Sequence, residues 1–466
     1  MGDGADMTVG AEKKMGERIA RELYRDPDYI DDPVVGEYVQ ATWEPLVAAA
    51  RARGEMSSEL AERFAWEILL GKDRSVNAFA LPGGYLGVHM GLIALVTSRD
   101  ELATVLAHEL SHVTQRHIAR LIAQQNRQAP WVLGAMILGA LAASKNPEAA
   151  NAVITGSSAV AAQGQLNFSR DMEREADRIG YGVLTQAGYD PQGATSMFEK
   201  LQQASRINDN GSFPYLRSHP LTTERIADMQ SRNQLGQRKP VAPPKAEHMM
   251  VAARARVIAN SGVDSLRTAV SQAQSIGGSP DARQAGLLYA AALAAMRLRD
   301  FDQAKALQAR TVSAAGQDAA AARLAQLLGG EIALASGDAA RALAVADALP
   351  GGRPELLLAA QAAPRAGKSQ EVVQRLQTWV SLRPRDAAAW QALAANYASQ
   401  GQQLRAIRAE AESFVAVMDF AAAMDRFKAG QDLMRRGGST DHIEASVIDT
   451  RARQVDSLLR EQALER

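Results

Sequence analysis

The chain has 466 residues, 52 lysines and arginines against 52 aspartates and glutamates, and no cysteine. That length accommodates two or three domains with sizeable cores, and the balanced charge excludes the basic excess of a nucleic-acid binder or a reader of acidic surfaces. Without cysteine there are neither disulfides nor thiol catalysis, which leaves the compartment open, while sparse aromatics and abundant alanine favour closely packed helices.

The chain opens on MGDGAD, with no charged-then-apolar leader and no Ser or Thr where a myristoylation signal wants one. It reads as a start from which any signal peptide has been removed. From Thr8 to about Arg53 the pattern is helical, with Met15, Ile19 and Leu23 on one apolar face and Val34, Val35, Tyr38 and Val39 beginning another. Between Arg63 and Met90 the character changes. Phe64 to Leu70 and Val76 to Leu81 read as short strands, and Pro82-Gly83-Gly84 turns the chain into Tyr85-Leu86-Gly87-Val88. Glycines allow close backbone approach, so Tyr85 to Val88 is expected to be an edge strand able to pair with an extended substrate. An ordinary hairpin would read the same way.

Ser98 to Arg120 reads as one helix, opened by a capping box of Ser98 and Glu101 and centred on His108-Glu109-Leu110-Ser111-His112. Histidines four apart share a helix face and can supply two of the three protein ligands of a catalytic zinc, leaving a position open for water. Glu109 between them is placed to act as general base, taking a proton from the activated water and passing it to the leaving amine. Glu109 also falls on the apolar stripe of Leu102, Leu106 and Val113, where a carboxylate needs a partner.

The segment 129–165 is apolar and rich in alanine and glycine. It reads as core, a helical cover over the cleft, or a surface for membrane or unfolded protein. Its run Trp131 to Ala143 is too short for the ~20 residues of a bilayer span. Next, Arg170 to Gly180 carries Met172, Ala176, Ile179 and Val183 on its apolar face, flanked by Glu173 and Glu175. Either acid could be a third zinc ligand, and periodicity does not choose between them. Glu173 has Asp177 one turn on, where a second carboxylate could hold a zinc-bound imidazole by its other nitrogen. Ser218 to Arg225 forms a loop into another helix. His219 could reach the open zinc position, as a fourth ligand or a latency switch, and Arg225 could meet a substrate carbonyl or oxyanion.

In this order NAFALPGGYLGVHMGL, HELSH, EREADRIG and SHPLTTER resemble the M48 family of zinc metallopeptidases, in particular its periplasmic branch in Gram-negative bacteria. The resemblance covers about residues 8 to 235. It implies one Zn2+ ion on His108, His112 and Glu173, Glu109 as catalytic base, and His219 close to the metal, which favours the latency reading. It further implies a periplasmic protease of misfolded or stalled outer-membrane proteins, with the β-barrel assembly machinery as partner.

Pro240, Pro243 and Pro244 mark a linker. Beyond it, turn signals at Arg299-Asp300, Gly337-Asp338, Gly367-Lys368 and Gly401-Gln402 recur every ~30–38 residues, the signature of helix-pair repeats. Pro384, Trp390, Leu393, Tyr397 and Ala406 have tetratricopeptide spacing. The expectation is an α+β protein: a mainly helical zincin-type domain with a small sheet over 1–237, a proline-rich linker over 238–250, and an all-α tetratricopeptide-like solenoid of about four units over 251–466. Such solenoids present a concave surface to peptides or partner proteins. The alternatives are a chaperone or adaptor whose metal site is latent, and a zinc aminopeptidase.

Overall fold

The computed structural model describes residues 7–125, 169–206, 213–234, 243–275, 277, 281–437 and 441–464. The apolar segment 129–165 therefore lies outside the described residues. The chain divides into two units, residues 1–294 with 313–321 and residues 295–312 with 322–466.

The first unit begins with helices α1 (Val9–Arg25) and α2 (Pro33–Ala52), each opened by a side-chain cap: Thr8 Oγ1 accepts from Ala11 N, and Asp32 Oδ1 from Val35 N. Met15 and Ile19 of α1 and Val35, Tyr38, Trp43 and Leu46 of α2 are buried. After α3 (Ser58–Arg63) come β1 (Glu67–Gly71), β2 (Ala78–Leu81), a 3-10 turn over Pro82–Gly84, and β3 (Tyr85–His89).

The sheet order is β1-β3-β2, with β3 parallel to β1 and antiparallel to β2. Tyr85, Leu86, Gly87 and Val88 thus form the central strand, correcting the expectation of a substrate-binding edge there. Every residue of β3 is buried, as befits a strand covered on both faces and paired on both sides. Gly87 serves packing instead of access: a Cβ there would lie 2.1 Å from the Phe79 ring. The sheet's edges belong to β1 and β2.

Helix α4 (Met90–Leu95) leads to α5 (Arg99–Thr114) and α6 (His117–Gln125). The expected single helix from Ser98 to Arg120 is interrupted at Arg116, whose φ is 52°. Arg116 turns its guanidinium to the buried Glu12, with Nε 2.8 Å from Oε2. This contact favours the left-handed turn that a non-glycine residue otherwise avoids. The expected capping box forms by halves. Ser98 Oγ accepts from Glu101 N, but the Glu101 carboxylate accepts from Thr97 N and Lys200 Nζ rather than from Ser98 N.

Helices α7 (Arg170–Gln186), α8 (Gln192–Arg206), α9 (Tyr215–Ser218) and α10 (Thr223–Gln234) follow. Gly180 lets α7 lie close on α5, since a Cβ there would meet the Ala107 carbonyl oxygen at 3.1 Å. Helix α11 (Ala246–Ala259) starts inside the stretch expected to be linker, yet buries Met250, Val251, Ala255 and Ile258. His248 donates from Nε2 to Val96 O at 3.0 Å and accepts from the Tyr38 hydroxyl at Nδ1 at 2.7 Å. Arg254 pairs with Asp32 at 2.8 Å. The boundary between units accordingly falls after Ala294, later than the prolines suggest. Prolines interrupt the backbone there, but apolar burial and these paired polar groups continue the first unit past them.

The remaining helices are α12 (Val263–Gln272), α13 (Ala282–Arg297), α14 (Phe301–Ala315), α15 (Ala319–Ala335), α16 (Ala339–Ala348), α17 (Arg353–Ala366), α18 (Ser369–Leu382), α19 (Ala387–Ser399), α20 (Gln403–Ala416), α21 (Phe420–Arg435) and α22 (His442–Leu464). The protein is therefore α+β, with a three-stranded sheet in a mainly helical first unit and a helical, solenoid-like C-terminal part. In the second unit, bidentate ion pairs tie alternate helices: Arg323 of α15 with Glu355 of α17, Arg353 of α17 with Asp386 at the start of α19, and Arg451 of α22 with Glu412 of α20. Leu393 and Tyr397 are buried, and the Trp390 indole donates to Pro384 O. No described helix is long and apolar enough to cross a membrane.

Asp386 also caps α19 through Ala389 N and accepts from the Trp379 indole. Burial pushes its carboxyl up, but Arg353 and these donors outweigh burial and hold it below its usual 3.8. A depressed carboxyl stabilises the fold above its unfolded value and loses that contribution as pH falls through its folded value. The urea-unfolding difference between wild type and Asp386→Asn should be full at pH 7 and shrink steadily below the ordinary value of 3.8. A pH-independent difference would contradict this role.

Candidate metal centre

The α5 pitch places His108 and His112 on one face with their Nε2 atoms 3.0 Å apart. From α7, Glu173 brings Oε1 to 3.5 Å from His112 Nε2 and Oε2 to 3.5 Å from His108 Nε2. His219 follows α9, with its N–H bonded to Tyr215 O, and its Nδ1 lies 3.0 Å from Glu173 Oε1 and 3.4 Å from His108 Nε2. One ligand atom from each of His108, His112, Glu173 and His219 lies within 4.8 Å of the others, and all four residues are buried. Of the two acids that periodicity left equivalent, Glu173 points into this cluster, whereas Glu175 meets Arg120 and His117.

Glu109 is fully buried. Its Oε2 accepts from Ala80 N of β2 at 2.9 Å, and its Oε1 lies 3.4 Å from His219 Nε2 without a hydrogen bond. Burial, opposed by His219 and His108, raises its pKa above the usual carboxylate value. Because Ala80 N points to Glu109, the backbone of β2 at Ala78 and Ala80 faces away from β3, along the α5 side of the sheet.

Asp177 stands one turn after Glu173, with Oδ1 3.0 Å from His108 Nδ1. Arg225 does not face an open cleft. Its Nε and Nη2 donate to Asp177 at 2.6 and 2.8 Å, and Nη1 donates to Pro220 O at 2.9 Å and lies 2.8 Å from Glu173 Oε2. An arginine so engaged neutralises and aims the two acids, which corrects the expectation of an unoccupied oxyanion contact.

The donors fit a divalent cation of the zinc type: three imidazoles and a carboxylate, all buried, converge on one point. Electrostatics agree. Against the cost of burial, Asp177 and Glu173 push the His108 imidazole up to about 10, so without a metal these acids draw positive charge onto the ligand atoms themselves. Burial followed by repulsion from His108 keeps His112 well below its usual value, and therefore neutral.

Two neighbours were missed in the sequence. The Tyr215 ring stacks on His219 with centroids 4.6 Å apart, and its N–H bonds Val76 O, joining the His219 loop to the strand region. His117 places Nδ1 2.8 Å from His112 Nδ1 and Nε2 3.1 Å from Glu175 Oε2. Helical spacing concealed His117, because five residues on a continuous helix place it about 140° from His112. Only the break at Arg116 brings it back. Nothing in the sequence marks Tyr215.

A fold of this type, with the two histidines and the glutamate of HELSH on α5 and an acid from α7 facing them, defines a metallopeptidase-like domain. Residues 37–233 match the model of peptidase family M48. Over 310 residues it is 34% identical to the putative beta-barrel assembly-enhancing protease of Vibrio cholerae, covering 66% of this chain and 61% of that one. It is 34% identical over 307 residues to the beta-barrel assembly-enhancing protease of Escherichia coli K12, covering 65% of this chain and 59% of that one. Mitochondrial metalloendopeptidase OMA1 of Arabidopsis thaliana is 36% identical over 159 residues, covering 34% of this chain and 30% of that one. The matched stretch thus spans about three fifths of the length of the bacterial relatives.

Arg225→Met would strand Asp177 and Glu173 as buried, unbalanced acids. Unfolding in urea at pH 7 without added metal should show a loss of about 3–5 kcal/mol. Arg225→Lys should recover only part, because an ammonium cannot span Asp177 bidentately. A loss below about 1 kcal/mol for Arg225→Met, the size of an exposed pair, would contradict the assignment.

Proposed function

We propose that the chain is a zinc endopeptidase, with His108, His112 and Glu173 as metal ligands and Glu109 as general base. The observation that carries this reading is the buried convergence of His108, His112, Glu173 and His219 beside Glu109. Zinc held there supplies Lewis acidity, polarising a peptide carbonyl and acidifying water. Glu109 Oε1, free of a hydrogen bond while Ala80 N holds Oε2, takes the proton from the attacking water and delivers it to the departing amine. Asp177 accepts from His108 Nδ1 and keeps its Nε2 directed into the site.

The substrate strand belongs along the outward edge of β2 beside Glu109, with the Ala80 N–H kept on Glu109 Oε2 and so not available to the substrate. Extended pairing there places a scissile carbonyl beside the base, a mode suited to unfolded chains. His219 in the ligand cluster supports a site closed at rest, opened when the Tyr215 to His219 loop withdraws. The bacterial relatives are named for enhancing beta-barrel assembly, and in keeping with that we take the setting to be periplasmic and the substrates to be misfolded or stalled outer-membrane proteins. The helical C-terminal part would then act as a tetratricopeptide-like module for substrates or the β-barrel assembly machinery.

Casein cleavage and bound zinc, measured together, test the reading. Glu109→Gln should retain zinc and lose at least ~100-fold in rate, the share general-base catalysis supplies. His219→Ala should keep zinc and cleave faster than wild type. Chelation should abolish cleavage and added zinc restore it. Wild type and His219→Ala that both hold zinc without cleaving casein would instead favour an adaptor with an inactive metal site.

A further inference from the structure

We propose that His117, held in turn by Glu175, is a positioning residue for His112 and thereby sets how tightly the site retains its metal. The inference rests on the metal-site reading above.

The Nε2 atoms of His108 and His112 converge, so their Nδ1 atoms face outward. His108 Nδ1 meets a carboxylate, Asp177, whereas His112 Nδ1 meets another imidazole, His117 Nδ1, at 2.8 Å. A neutral imidazole has one donor nitrogen and one acceptor nitrogen. With the His112 Nε2 lone pair kept for a metal, its hydrogen resides on Nδ1 and is donated to His117 Nδ1. His117 must then carry its own hydrogen on Nε2, which lies 3.1 Å from Glu175 Oε2. Arg120 Nη1 donates to the same oxygen at 2.7 Å and keeps it an acceptor. One carboxylate thus fixes the tautomers of two successive rings.

An imidazole suits this position better than a further acid. Glu109, Glu173 and Asp177 already place three buried carboxylates around the site. A fourth against His112 would add unbalanced charge, whereas a neutral ring orients His112 without doing so. The chain of contacts runs from the fully buried His117 out to the part-exposed Glu175. It depends on the left-handed turn at Arg116, which swings α6 so that His117 faces His112.

Zinc Kd by chelator competition, with the unfolding midpoint of the metal-free protein, would be measured for wild type, His117→Leu, His117→Asn and Glu175→Ala. Losing such an outer partner typically weakens metal binding about 10–100-fold, and His117→Leu should fall in that range. His117→Asn should recover most of the affinity, because Asn Oδ1 can accept where Nδ1 did. Glu175→Ala, which leaves His117 present but unheld, should weaken zinc by an intermediate factor.

A purely structural role would lower the metal-free midpoint and leave Kd unchanged across the variants, which would overturn the proposal. Should His117→Leu not fold, an unchanged Kd in Glu175→Ala does the same. Wild type that binds no zinc would overturn the metal-site reading and this inference with it. Normal wild-type binding with unchanged variants would overturn this inference alone.

Discussion

Three carboxylates buried in one small volume, Glu109, Glu173 and Asp177, impose a charge balance that the first unit is arranged to meet. Isolated burial of even one would cost several kcal/mol. The compensation comes from different elements: the α5 imidazoles, the His219 loop, the Ala80 N–H of β2, and the Arg225 guanidinium spanning Asp177 and Glu173. Each supplies positive charge or a donor that another element's acid requires. The acids therefore hold the helices and sheet in register, and the cluster they create is one that a divalent cation would complete.

Backbone devices deliver these groups. Gly180 allows α7 to approach α5 closely enough for Glu173 and Asp177 to reach the two histidines. At the other end of α5, Glu12 of α1 draws Arg116 into a left-handed turn, and the next helix then carries His117 back to the site. The start of α5 is fixed by Ser98, Thr97, Glu101 and Lys200. A helix tethered at both ends presents its ligands in a fixed orientation, which limits the reorganisation that binding a metal requires.

The helix after the prolines extends this frame. Through His248 and Arg254, α11 binds to Tyr38, Val96 and Asp32, so the first unit is braced by residues beyond the 37–233 match. A buried histidine whose two nitrogens are both satisfied has a structural role here. It differs in that respect from His219, whose nitrogens face the acids of the metal cluster.

The sequence by itself determined a good deal: the α+β class, the short strands, the helix bearing His108, Glu109 and His112, and the helical character of the C-terminal part. These rest on local periodicity and on spacing within one helix, which tertiary context seldom overrides. Its periodicity left Glu173 and Glu175 equivalent, since both flank the same apolar face and only packing against α5 turns one inward. It misread Tyr85 to Val88 as an edge, because strand order depends on partners distant in sequence. It also could not foresee that Arg225 would be taken up by Asp177, that His117 would return to His112 after a helix break, or that α11 would join the first unit. Each of these depends on a contact between segments brought together only by folding, and no pattern along the chain encodes that proximity.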